Sequence, residues 1–306
     1  TLDGVKYRLG SADSPEGGKR RKDVKSIEYA DFQDVDHAKA TGLLNKGEQD
    51  KAGDAFIAVT KSTIYAALRE RSYLDAADAF IAAKQPDKAL AALKELEAKA
   101  PRSVHLPRAV ELAFAIEKGR GNRAAAQEAV DKLKKNAKDW GIEADVLAAT
   151  GQASLHREDK KLAESAKELE RIWGSVLTLS ATSDEDEKEQ YARVGEQLAL
   201  DYGLGGQAEK AFAVYKKLMY ESLGAPQARA HLAYAQAMST SKDLDNLRTA
   251  FDHALIALVM PEGDTQVRTK AKSLARTILA AFDKAAEADP KLAGEVAEYR
   301  KYLNAL

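Results

Sequence analysis

The chain has 306 residues, enough to bury a sizeable core as one extended array or two compact domains. Its 47 basic and 48 acidic residues leave a formal net charge of -1. Phosphate binders carry a basic excess or stripe, so this balance argues against nucleic acid or a strongly anionic membrane surface as the main partner. Hydrophobic residues make up 45% and charged residues 31%, a balance of folded rather than disordered chains. The absence of cysteine excludes disulfides, thiolate nucleophiles and cysteine-based metal sites, and leaves the compartment open. No apolar run approaches the roughly 18 residues of a membrane-spanning helix, so no direct membrane span is expected.

Residues 1–33 read differently from the rest. Val5-Lys6-Tyr7-Arg8-Leu9 alternates apolar and polar, as does Ile27-Glu28-Tyr29, with a Gly-, Ser- and charge-rich loop at Gly10 to Lys22 between them. This pattern predicts a short β-hairpin element. Asp3-Gly4 is a hairpin turn signal with two residues ahead of it, so a further strand before Thr1 is expected. An exported protein with its leader removed fits that start, and so does a trimmed sequence. The basic run Lys19-Arg20-Arg21-Lys22 reads as a solvated patch.

Helical periodicity takes over near Asp36. Alanine dominates and prolines are few, a composition that loses little entropy in a helix. Turn signals recur between helix-length segments: Lys46-Gly47, Gln85-Pro86-Asp87, Gly119-Arg120-Gly121-Asn122, Gly203-Leu204-Gly205-Gly206 and Ser241-Lys242-Asp243. One unit is especially regular. Tyr73, Leu74, Ala76, Ala77 and Phe80 lie on one helix, Ala89, Leu93 and Leu96 on the next, and Pro101 closes it. The pattern returns as Leu198, Ala199 and Tyr202 with Ala211, Tyr215 and Leu218. It returns again as His231, Tyr234, Ala235 and Met238 with Leu247, Phe251 and Ala254. Weaker copies read Ala40, Leu43, Ala52, Phe56, Val59 and Ala113, Ile116, Ala126, Val130, Leu133. The segment Ala144 to Trp173 reads as a helical hairpin that fits the pattern poorly. Small residues let the two helices of a pair touch, and large ones fill the gap to the next pair.

These copies resemble the tetratricopeptide repeat (TPR) family over residues 36 to 258. The resemblance implies an all-α, right-handed α-solenoid of about six or seven helical hairpins, preceded by the β-hairpin element. The spacing breaks between Gly174 and Glu189, where Ser183 reads as an N-cap ahead of Asp184-Glu185-Asp186-Glu187. The expected organisation is a β element and loop at 1–33, a first array at 34–176 and a second at 177–306. Thr265 to Ala288 and Lys291 to Leu303 form its last helix pair around Asp289-Pro290. The degenerate, alanine-rich repeats and the β lead-in look like those of bacterial TPR proteins of the cell envelope.

No constellation of residues points to catalysis. The five histidines, His37, His105, His156, His231 and His253, show no paired metal spacing, and neither a nucleophile elbow nor a phosphate loop occurs. No catalytic residue, cofactor or metal is expected. TPR arrays line an inner groove with the first helix of each pair. Arg71, Arg193 and Arg229 share one register there, Asp78 and Gln236 share another, and Glu196 stands near Arg193. Guanidinium groups in this pattern would hold a peptide or acidic segment, or else pair with acids of the neighbouring repeat. Tyr299, Tyr302 and Leu303 would give either core or an end face for another copy. The expected role is a scaffold for other proteins within a larger assembly, the alternative a self-associating filament or tubule subunit.

Overall fold

The computed structural model describes residues 4–8, 16–20, 34–174, 177, 185–222, 224–241, 243–261 and 265–306. Among them are fourteen α-helices. They are α1 (Val35–Asn45), α2 (Gln49–Ser62), α3 (Ala66–Ala82), α4 (Pro86–Lys99), α5 (Leu106–Gly119), α6 (Arg123–Trp140), α7 (Ile142–Glu158), α8 (Leu162–Ile172), α9 (Glu185–Leu204), α10 (Ala208–Glu221), α11 (Ala225–Met238), α12 (Leu244–Val259), α13 (Thr265–Ala288) and α14 (Ala293–Ala305). They follow one another as helix-turn-helix pairs. A 3-10 turn, Pro290–Leu292, joins the last two helices.

One turn is reused in five of these pairs. Glu48 N–H donates to Leu43 O at 3.0 Å, Gln85 to Phe80 at 2.8 Å, Asn122 to Glu117 at 2.9 Å, Lys161 to His156 at 2.8 Å and Gln207 to Tyr202 at 2.8 Å. Each bond spans the same five-residue step and satisfies a carbonyl that the helix end leaves without a partner. The residue before each donor has a positive φ: Gly47, Lys84, Gly121, Lys160 and Gly206. Glycine suits that geometry, whereas a lysine there carries a steric cost. A lysine takes this position at both Lys84 and Lys160, but Pro86 marks the first of these turns, whereas the α7–α8 turn carries neither glycine nor proline and is hard to place from sequence.

The chain divides into two compact units, Thr1–Gln152 and Ala153–Leu306. In the first, Ala40, Ala52, Phe56, Tyr73, Ala76, Ala77, Phe80, Ala89, Leu93 and Leu96 are buried in one core. These are the residues that the repeat pattern selects. Gly53 belongs with them, because a Cβ built there would stand 2.5 Å from the Phe80 ring. In the second unit Tyr191, Leu198, Tyr202, Ala211, Leu218, Tyr234, Ala235, Phe251, Ala254, Ile278 and Phe282 are buried. There Gly195 leaves room for Trp173, whose indole stacks on Tyr191 at 5.2 Å.

A buried ion pair fixes α7, α8 and α9 together within the second unit. The Asp201 side chain is 0% exposed. Arg157 on α7 donates from Nε to Asp201 Oδ1 at 2.5 Å and from Nη2 to Oδ2 at 3.1 Å, and the Ser165 hydroxyl on α8 donates to Oδ2 at 2.5 Å. The carboxylate therefore meets three donors in place of water.

Ahead of the helices the backbone of β1 (Gly4–Arg8) runs antiparallel to that of β2 (Glu16–Arg20), with Gly4 opposite Arg20. The second segment falls within the stretch expected to be a loop. Ile27–Tyr29, Arg21, Lys22 and the Ser183 cap lie outside the described residues. The last two helices follow the expected bounds closely, with α14 entered through the 3-10 turn after the Asp289 cap.

Asp201→Ala leaves the partly exposed Arg157 guanidinium without its carboxylate, while the Ser165 hydroxyl keeps the Ala153 carbonyl as an acceptor. The expected loss is about 3 kcal/mol of stability, at the lower end for a broken buried pair because Arg157 stays partly wet. Urea titration read by circular dichroism checks it, with Asp201→Asn expected to lose less.

Candidate partner-binding surface

The first helix of each pair carries a polar strip, and the two units build theirs differently. In the first unit the strip gathers His37 from α1, Arg71, Asp75 and Asp78 from α3, Arg108 and Glu111 from α5, and Glu143 from α7. His37 Nε2 lies 3.1 Å from Asp75 Oδ2, Arg71 Nε donates to Asp75 Oδ1 at 2.8 Å, and Arg108 Nη1 donates to Glu111 Oε2 at 2.5 Å. Arg71 is thus engaged within its own helix, one turn along. Lost hydration pushes the Asp78 carboxyl above its ordinary value against the pull of Arg108. Burial does the same to Glu143, and Glu111 adds to it. Burial lowers the His105 imidazole, helped by Arg71. The strip holds two arginines against four carboxylates, so its charge is acidic on balance.

In the second unit Glu189, Arg193 and Glu196 recur at helical steps along α9, and Arg229 of α11 reaches across to them. Its Nε donates to Glu196 Oε1 at 2.9 Å and its Nη2 to Glu189 Oε1 at 2.8 Å. Burial pushes the Glu196 carboxyl up, with Arg229 opposing. Arg193 is exposed between the two acids. Gln236 is also exposed, two turns past Arg229 on the same helix face. The structure therefore joins Glu196 and Arg229 directly, sets Arg193 beside them, and carries the face onward to Gln236. Arg71 and Asp78 share a helix face of the first unit.

The three residues considered for an end face separate. Leu303 is buried, and Tyr299 packs its ring on Phe251 at 4.5 Å and Phe282 at 5.4 Å. The Tyr299 hydroxyl donates to Glu295 Oε1 at 2.8 Å. Tyr302 is 56% exposed.

Sequence reading did not nominate Asp75, Arg108, Glu111, Glu143 or Glu189. The Arg71–Asp75 and Arg108–Glu111 steps are one helical turn and were readable as such. Glu189 stands one turn before Arg193 on α9 and was readable in the same way, whereas Glu143 joins the surface only through packing between pairs. Among the described residues no group of three or more His, Asp or Glu side chains could hold a metal ion, and no helix is long and apolar enough to cross a membrane.

A second titratable cluster sits between α10, α11 and α12. His231 Nδ1 lies 2.7 Å from His253 Nδ1, so one ring donates and the other accepts. Tyr234 presents an edge to His253 at 4.7 Å and meets Phe212 at 5.4 Å. Burial, and then His253, pushes His231 down to about 4. Burial lowers His253 as well, with Asp252 opposing and Lys216 assisting.

No family model matches the chain, and no curated protein matches it in sequence. Among solved structures it is similar to PilW, described as a widely conserved type IV pilus biogenesis factor, at 16% identity with a TM-score of 0.51, over 77% of this chain and 96% of that one. It also aligns with Pseudomonas aeruginosa pilF at 13% identity and a TM-score of 0.47, over 78% of this chain and 96% of that one. A third alignment is to a thermophilic TPR protein of Thermus thermophilus, at 18% identity and a TM-score of 0.44, over 67% of this chain and 98% of that one. At 16% identity the likeness to PilW is one of fold. The helical-hairpin series, with its recurring turn and its repeated spacing of small and large residues, gives the chain a TPR-type fold.

The imidazole pair makes stability depend on pH. The unfolded chain takes up these protons near the ordinary histidine value of 6.5, the folded chain at lower pH. The stability held at neutral pH is therefore lost as pH falls from about 6.5 towards about 4. For His231 alone the loss between pH 7.5 and pH 5 is about 2 kcal/mol. Urea midpoints at the two pH values check it, and His231→Gln is expected to flatten the dependence.

Proposed function

We propose that this TPR-type chain is a non-enzymatic scaffold that recruits or organises partner proteins as a subunit of a larger assembly. The observation that carries the proposal is the wall formed by α9 and α11 in the second unit. There the Arg229 fork is locked by Glu189 and Glu196, while Arg193 and Gln236 face solvent beside it. A wall held rigid by its own ion pairs loses little entropy when a peptide lies on it, and its exposed groups select the partner by charge. Arg71 and Asp78 play the corresponding part in the first unit, where the acid excess favours a partner segment with basic side chains. The ligands in this reading are proteins or peptide segments, not nucleic acid, in keeping with the near-zero net charge.

The same reading treats residues 1–33 as a β-hairpin lead-in, 34–176 as one partner-binding array and 177–306 as a second. Self-association is the alternative, and the exposed Tyr302 on α14 favours it. Size exclusion with light scattering separates the two. A concentration-independent monomer removes the filament reading.

Native-source lysate, probed with this chain as bait and read by mass spectrometry, tests the scaffold. A stoichiometric partner is expected. Arg193→Glu combined with Asp78→Arg should weaken its binding at least about tenfold, or 1.4 kcal/mol, with an unchanged melting temperature. A partner that binds the double variant as well as the parent would show that these walls are not the contact surface.

A further inference from the structure

The first helix of the last pair, α13, differs in charge from the other first helices. Arg71 has Asp75, Arg108 has Glu111, and Arg229 has Glu189 and Glu196. From Thr265 to Phe282, α13 carries Arg268, Lys270, Lys272 and Arg276 and no acid. Arg268, Lys270 and Arg276 are exposed, and Lys272 is partly so. Arg268 turns back to the preceding loop, where its Nη2 donates to Pro261 O at 2.5 Å. Among the described residues no carboxylate pairs with Lys270, Lys272 or Arg276.

Helical spacing gathers these side chains on one surface. Arg268, Lys272 and Arg276 follow at one-turn steps, a row about 12 Å long. Thr269, Ser273 and Thr277 are exposed in a parallel stripe beside the row, and Lys270 stands on the other side of that stripe. The Thr269 and Thr277 hydroxyls donate to the carbonyls of Thr265 and Ser273, at 2.7 and 3.1 Å. The outward donors are therefore the cations and the Ser273 hydroxyl. The arrangement works against the helix itself. Like charges four residues apart repel, at Arg268 and Lys272 and again at Lys272 and Arg276, and no acid offsets them. The core does not require them either, because Val267, Ala271, Ile278 and Phe282 are buried on the side away from the hydroxyl stripe.

We propose that this face of α13 docks an acidic segment of a partner protein, with successive carboxylates about 6 Å apart held by Lys272 and Arg276 and with Lys270 closing the far side. Glutamates one turn apart on a helix have that spacing, and alternate residues of an extended chain nearly so. The Arg276 fork can hold a carboxylate through two parallel bonds. A lipid surface fits less well, because the face between the cations shows Thr, Ser and the exposed Ala280, with no large apolar side chain to insert. Nucleic acid fits less well too, because so few free cations on a chain of net charge -1 neutralise few phosphates. The inference rests on the scaffold reading in that its ligand is a protein segment, but it uses no residue of the α9 and α11 wall.

The test titrates the full chain into a fluorescent alanine-based helical peptide with glutamates at i, i+4 and i+8, beside the same peptide with glutamines or lysines there. Saturable binding of the glutamate peptide is expected, at least about fivefold tighter than either control and weaker as salt is raised. Lys270→Glu, Lys272→Glu and Arg276→Glu together should weaken it at least about tenfold and confer binding of the lysine peptide. Lys272→Gln with Arg276→Gln removes charge without adding any, and a loss of at least about threefold there keeps the test decisive if the reversed variant folds poorly. Asp78→Arg with Arg193→Glu, the variant that probes the polar walls, is expected to bind the glutamate peptide as the parent does, so the two surfaces fail separately. Vesicles containing phosphatidylserine and a duplex oligonucleotide are titrated alongside. No saturable binding of the glutamate peptide, equal binding of the glutamine peptide, unchanged affinity in the α13 variants, or tighter binding of the vesicles or the oligonucleotide would each overturn the proposal.

Discussion

A helical hairpin cannot cover its own apolar stripe, and everything else in this fold follows from that constraint. Phe56, Phe80 and Leu96 in the first unit and Phe251, Ile278 and Phe282 in the second are dry only because a neighbouring pair closes over them. Alanine makes the closure possible by letting helix backbones approach. Gly53 and Gly195 carry the same device further, where an aromatic ring occupies the space of a missing Cβ. Repeating the pair then requires a repeatable turn, and five turns share one hydrogen-bond geometry around a residue of positive φ.

Where the repeat is least regular, a buried polar network joins the apolar packing of Leu155, Leu169, Ile172 and Leu198. Around α7, α8 and α9 the chain joins its helices through Asp201, Arg157 and Ser165. Such a network fixes geometry more strictly than aliphatic contact does, because any slip leaves a charge without its partner. The His231–His253 bond has a related character between α11 and α12, with the difference that acid can break it.

The polar surface divides by helix. First helices carry charged strips whose members hold one another in place, as Arg229 holds Glu189 and Glu196. On α13 the cations between Thr265 and Phe282 have no acid among them.

The sequence by itself determined the helices, most of their turns and the identity of the core. Its three- and four-residue spacing of small and large residues is a local property, and so are the glycines that permit positive φ. The turn at Lys160 escaped it because, unlike the Lys84 turn with Pro86 beside it, it carries neither glycine nor proline. Arginines at a shared register were legible as well, and their charge partners were not. Tertiary structure decided that Arg71 turns to Asp75 while Arg229 crosses to Glu189 and Glu196, since the choice depends on which acid the next pair brings within reach. It also decided that Tyr299 and Leu303 face inward while Tyr302 remains outside, because neighbours on the same helix differ only in the direction they point.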